Sequence, residues 1–183
     1  RRVLFRSKAT SFLGYYIDGD RERIPYEADA YINQLGHYAV DRELTMARRT
    51  HEHLILHPTW PTEWQLYSVL VAWNDYMFSG DDRSIRMYYD DLEAKSLAAL
   101  ARDDGLISTR TGLMTEEVEE ALHYLGQSKD FYGRGIEDIV DWPQGERDGF
   151  EMMPVNAVVN ALHVRALRAL GGIAAALKKP DDA

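Results

Sequence analysis

The sequence predicts an all-α protein assembled from paired antiparallel helical hairpins. Apolar residues recur three or four positions apart through most of the 183 residues, the signature of helices that bury one face. Connections between those stretches are short, so successive helices fold back on one another. The rhythm breaks once, between 104 and 153, where glycines, Pro143 and aromatic residues replace the helical period. A helical solenoid, a bundle or part of a barrel of helical hairpins all satisfy this pattern. With 45% hydrophobic and 28% charged residues, the composition is that of a folded globular domain and not of a disordered chain.

Along the chain, Phe12 to Ile17 reads as a short extended segment. Pro25 suits a first helical turn, where its missing N–H is no loss. Tyr31, Leu35, Tyr38 and Ala39 then mark the inner face of a helix ending near Ala39. Asp41 is placed to cap a second helix, with Leu44, Ala47, His51, Leu54 and Ile55 inward and His57-Pro58 as its stop. Thr62 and Gln65 have capping-box spacing at the start of a third helix. Its stripe is Leu66, Val69, Leu70, Trp73 and Met77, and Gly80 fits a left-handed stop. A fourth helix is expected from about Asp82 to Asp103, with Ile85, Tyr89, Leu92, Ala99 and Leu100 inward. The 104–153 stretch holds a hairpin arm at Gly105 to Thr111 and one short helical candidate at about 116 to 125. So long an irregular stretch in a compact domain is usually functional or disordered, and its Trp, Phe and Tyr content favours a packed, functional one. A fifth long helix starts at Pro154, with Val155, Val159, Leu162, Ala166, Leu170, Ile173 and Leu177 inward. Val158, Leu167 and the Ala174–Ala176 run are apolar outside that stripe, as in a helix with neighbours on several sides.

Several function classes drop out. A net charge of −9 argues against a nucleic-acid binder, which needs a basic face. Lys and Arg form no polybasic tract for a membrane surface, and no apolar run approaches the roughly 20 residues that cross a bilayer. Without cysteine there is no disulfide, thiolate metal site or Cys nucleophile. His51 and His53 are two apart and cannot share a helix face. His51, Glu52 and His57 lack the His-Glu-x-x-His spacing, and His37, His123 and His163 are isolated, so no metal and no cofactor is expected. Gly133-Arg134-Gly135 lacks the Lys-Ser/Thr of a phosphate loop, Gly171-Gly172 lies inside a helix, and no Gly-x-Ser-x-Gly elbow occurs. The opening at Arg1, with no Met and no signal pattern, reads as a cut from a longer sequence.

Three polar clusters fall outside the helical stripes. In the first, Asp18, Asp20, Glu22, Glu27 and Asp29 share twelve residues with Arg21 and Arg23, beside Tyr15, Tyr16 and Tyr26. This is either a solvated, salt-bridged helix start or part of a site. Glu22 is a candidate proton donor, but two flanking arginines and a helix N-terminus lower its pKa, and a general acid needs the opposite shift. It can serve only if Arg21 or Arg23 points away and neighbouring carboxylates or aromatic burial raise it. The second cluster is Thr59 to Trp64, with Trp60, Glu63 and Trp64; the third is Asp138 to Phe150, with Asp141 and Trp142. Indole rings cover the apolar faces of a pyranose while carboxylates accept its hydroxyl hydrogens. The same tryptophans could instead pin loops onto helices, but three such clusters favour a carbohydrate cleft.

On these residues the sequence resembles the α-L-rhamnosidases of glycoside hydrolase family 78, and more specifically their six-hairpin domains. The stretches that carry the resemblance are Tyr16 to Asp29, Thr59 to Trp64 and Asp138 to Pro143, within a match from about Ser11 to Leu177. Arg21-Glu22-Arg23-Ile24-Pro25-Tyr26-Glu27-Ala28-Asp29 lies without a gap on the family's Asp-Glu-Arg-Leu-Gly-Trp-x-x-Asp. The resemblance implies that Glu22 is the general acid, that Asp29 binds rhamnose, and that Tyr26 stands where the family has Trp. It further implies sugar contacts from Asp18 and from Arg21 or Arg23, and a subsite walled by Trp64 and Trp142 with Asp141 nearby. The family's Cys-Pro-Gln-Arg run is replaced by Gly-Asp.

The implied fold is an (α/α)6 barrel, of which the expected helices supply about half. Residues 1–183 are then a single partial catalytic domain, 104–153 a loop insertion within it, and the remainder of the barrel its expected partner, with a rhamnose-containing substrate. The family's general base, a Glu from a later loop, matches no segment here, so turnover by this chain alone is not expected. The resemblance also implies a bacterial periplasmic or extracellular setting. Two other readings remain: another (α/α)6 glycosidase or polysaccharide lyase, and a non-catalytic helical scaffold that binds sugar or protein.

Overall fold

Stretches with the helical period fold as helices that stack around one central member. The computed structural model describes residues 11–12, 14–17, 23–124, 135–140 and 143–179. Among them a two-stranded antiparallel hairpin, β1 (Ser11–Phe12) and β2 (Tyr15–Tyr16), precedes seven α-helices. These are α1 (Glu27–Tyr38), α2 (Thr45–Leu56), α3 (Thr62–Ser79), α4 (Arg83–Met87), α5 (Tyr89–Lys95), α6 (Glu116–Ala121) and α7 (Ala157–Leu177). The fold is all-α with a minimal strand content, as expected.

The central helix is α3, which packs on α1, α2, α5 and α7. It is apolar on nearly every side because it has neighbours on nearly every side. Leu66, Val69, Leu70, Val71 and Ala72 are all buried. Its partner α7 comes so close that a Cβ on Gly172 would stand 2.8 Å from the Trp73 ring. Arg165 bonds Tyr31, whose ring lies against Tyr67, and further along Trp73 meets Gly172, so α3 and α7 run in the same direction. The same holds for α1 and α3, joined near their starts by Glu27 and Thr59 and further on by Gln34 Nε2, which donates to Val71 O at 3.0 Å. The first members of successive pairs are therefore parallel, and their N-termini gather at one end.

The inner face of α1 differs from the expected one. Glu27, Ala30, Gln34, His37 and Tyr38 are buried, while Tyr31 and Leu35 are half-buried, Ala39 is exposed and Ile32 is 70% exposed. The buried face is mostly polar, and apolar periodicity cannot see it; each side chain is accommodated by a hydrogen bond. Gln34 reaches Val71, Glu27 reaches Thr59, and His37 Nδ1 pairs with the Tyr16 hydroxyl. That last contact docks the hairpin at the far end of α1, where Tyr16 N also donates to Thr50 Oγ1 at 3.0 Å.

Helix ends depart from the expected caps. Pro25 lies outside α1, whose N-cap is Tyr26. Asp41 does not cap α2; its Oδ1 accepts from Arg42 N and Glu43 N in a local turn, and Glu43 Oε1 accepts from Thr45 N at 2.8 Å. The Thr62–Gln65 box is absent because Pro61 is the N-cap of α3, and Gln65 turns inward to serve Thr59 and Lys95. Gly80 ends α3 in the left-handed region at φ 69°, as expected. Met77, placed inward by the period, is 59% exposed. The single fourth helix is broken into α4, α5 and a 3-10 turn at Ala98–Leu100. Leu97 takes φ 61°, which costs a non-glycine residue about 1–2 kcal/mol. The break buries Leu97 and Leu100 fully, leaves Ala99 exposed, and frees Ser96 O to accept from His163 Nδ1 at 2.7 Å.

The last helix starts at Ala157, three residues after Pro154, because Asn156 Oδ1 accepts from Val158 N and Val159 N. Within it, Asn160 imitates a strand partner. Its Oδ1 accepts from Ile107 N at 2.8 Å and its Nδ2 donates to Ile107 O at 3.1 Å. This fixes the arm that pairs Ala101 with Ile107. No helix among the described residues is long and apolar enough to cross a membrane.

Candidate active site

The gathered N-termini of α1 and α3 form the rim on which the first two sequence clusters meet. Tyr26, the N-cap of α1, lays its ring against Trp64 in the first turn of α3, with centroids 5.0 Å apart and planes at 64°. Both rings are half-buried. Asp29 lies in the first turn of α1, three residues after Tyr26; it too is half-buried. Arg23 is exposed, with φ 57°. Glu22, Asp18 and Arg21 lie outside the described residues, as do Asp141 and Trp142.

The third cluster reaches the same rim through its backbone. Glu137 N donates to Trp60 O at 3.3 Å, and Thr62 N donates to Glu137 O at 2.9 Å, pairing the chain at Pro61 with the chain at Glu137. Glu63 then grips the backbone just beyond Asp138. Its carboxylate accepts from Ile139 N at 3.1 Å and Val140 N at 2.7 Å. Burial pushes the Glu63 carboxyl upward, and these amide contacts oppose the shift. Val140 has φ 59°, an uncommon conformation for a β-branched residue, and it directly precedes Asp141. Thus both Arg23 and Val140, neighbours of Glu22 and Asp141, hold left-handed backbone.

Behind the rim lies a buried polar chain. Glu27 is 1% exposed, and its carboxylate accepts from Thr59 N at 2.9 Å and from the Thr59 hydroxyl. Gln65 Nε2 donates to Thr59 O, and Gln65 Oε1 accepts from Lys95 Nζ at 3.1 Å. Lys95, wholly buried, also donates to Leu122 O at 3.1 Å. Burial drives its pKa down to about 8 and that of Glu27 up, while each charge favours the other. Lys95 was legible in principle, since it falls three residues after Leu92 on the apolar stripe. Glu27 belongs to the acidic cluster singled out in the sequence, but nothing there marks it as buried.

Deeper along the same helices, Tyr31 and Tyr67 rings stand 5.2 Å apart, and Arg165 Nη2 donates to the Tyr31 hydroxyl at 2.6 Å. A cavity of about 260 Å³ there is lined by Tyr31, Leu70, Trp73, Asn74, Arg165 and Arg168. A larger hollow, about 740 Å³, opens at the opposite end of α1 beside Gly14, His37, Asp41, Glu43 and Arg49, away from the rim. Among the described residues no group of three or more His, Asp or Glu is placed to hold a metal ion.

The model of the bacterial alpha-L-rhamnosidase six-hairpin glycosidase domain matches residues 2–183. The chain belongs to that family. No curated protein and no solved structure matches it. Membership in the rhamnosidase six-hairpin family accounts for the all-α pairing of the helices and implies a carbohydrate ligand.

Proposed function

We propose that the chain is the acid-bearing portion of an inverting α-L-rhamnosidase, with Glu22 as the general acid. Tyr26, Asp29 and Trp64 form the sugar subsite, with Asp18, Arg21, Arg23, Asp141 and Trp142 completing it. The observation that carries this reading is the Tyr26–Trp64 ring pair at the start of the helix whose first turn holds Asp29, at the rim into which the Glu63-clamped loop also leads. The pair offers an apolar wall for the sugar face, and Asp29 an acceptor for its hydroxyls. Inversion needs a second carboxylate roughly 6.5–9.5 Å from the acid to activate water, and no residue of this chain is assigned that role.

Two measurements test the reading. Methyl α-L-rhamnoside titrated into the protein is expected to perturb tryptophan fluorescence, and Trp64→Ala is expected to weaken binding at least about tenfold. In a version that turns over an aryl α-L-rhamnoside, Glu22→Gln is expected to lower kcat by a factor of about 100 or more with KM little changed. Indifference of both binding and turnover to these changes returns the chain to the helical-scaffold reading.

A further inference from the structure

The buried chain Glu27–Thr59–Gln65–Lys95 has no place in the chemistry proposed above, yet it converges on the segment that leads into Trp64. Thr59 is held three ways: its amide and hydroxyl donate to Glu27, and its carbonyl accepts from Gln65. Gln65 is in turn held by Lys95. Glu27 directly succeeds Tyr26, and Gln65 directly succeeds Trp64. The two residues next to the rim aromatics are thus tied to one another through a single threonine. Glu27, Gln65 and Lys95 are each 1% exposed or less. A buried carboxylate and a buried ammonium are costly unless satisfied, and a well-packed apolar layer would hold two helices at less expense. What the polar chain adds is direction: hydrogen bonds fix the turn's orientation where apolar packing would let it slide.

We infer that Glu27, Thr59, Gln65 and Lys95 are positioning residues that set the Trp64 ring against Tyr26 and thereby shape the sugar subsite. The effect on sugar rests on the proposed function; the effect on the ring does not. All four are positioning residues, outside the sugar subsite proposed above.

Fluorine NMR of protein labelled with fluorinated tryptophan separates these roles. Substituting each of the four tryptophans by Phe assigns the lines of Trp60, Trp64, Trp73 and Trp142. Thr59→Val removes one hydroxyl; Glu27→Gln removes the charge but keeps the shape. In both, the Trp64 line is expected to shift or broaden while the Trp73 line, more than two turns along α3, stays in place. Rhamnoside affinity is expected to fall at least about fivefold. Glu27→Asp with Lys95 intact is expected to recover part of both effects. The inference is overturned if the Trp64 line is unmoved in both variants, if all lines move together, or if Thr59→Val fails to fold, since each outcome makes the chain a general support. A wild-type protein that ignores rhamnoside while its Trp64 line responds to Thr59→Val defeats the sugar reading and leaves the positioning role standing.

Discussion

A histidine sealed among helices is penalised whenever it takes up a proton. His51 is 2% exposed, with Nε2 3.1 Å from Ser84 Oγ. Burial drives its pKa to about 4, and the nearby Asp75 and Arg48 act in opposite directions. The unfolded chain, titrating near 6.5, therefore binds the proton first. The neutral ring's contribution is whole above pH 6.5 and is lost as the pH falls toward 4, roughly 3 kcal/mol in all. His51→Gln, which keeps a polar partner for Ser84, is expected to flatten that part of the stability profile. Urea midpoints of the two proteins at pH about 7.5 and about 5 measure the difference, which isolates this residue from the buried and paired carboxylates. At this scale the sequence was least informative. His51 was placed inward by the period, but the burial of Glu27, Gln34 and Gln65 depends on partners 30 or more residues away, which no local pattern encodes.

Helices were legible where apolar residues did the burying and illegible where something else did. The inner faces of α2 and α7 track their apolar residues closely. The face of α1 is displaced because polar side chains fill it, and the stretch from Asp82 to Asp103 breaks because Leu97 reaches the core only through a left-handed turn. The meeting of α3 and α7 turns on one missing methyl group. Alanine at Gly172 would gain about 0.5–1 kcal/mol of helix propensity. Its Cβ would also meet three atoms of the Trp73 ring at 2.8 to 3.1 Å, and overpacking of this kind costs typically about 1–3 kcal/mol. The clash wins because an indole edge lying on a helix cannot swing away as a chain tip can. Gly172→Ala is expected to lower Tm by about 2–4 °C, and Trp73→Phe in the same protein is expected to recover most of the loss. Scanning calorimetry on the single and double variants reads both.

At the scale of the molecule, the class of fold is legible from pattern and resemblance, whereas the clamp that joins the second cluster to the third is not. The described surface keeps large apolar residues in water: Ile32 is 70% exposed and Val164 51% exposed. They neighbour Tyr31 and Arg165, whose side chains join α1 to α7. Exposed apolar area of this kind promotes self-association. Ile32→Glu with Val164→Glu is expected to reduce concentration-dependent sedimentation while leaving Tm within a few degrees.

Glu63 grips the loop after Glu137 by peptide amides, which every residue but proline supplies. Side chains farther along that loop can therefore be exchanged without loosening the grip. The clamp itself therefore rests on one acidic side chain of α3.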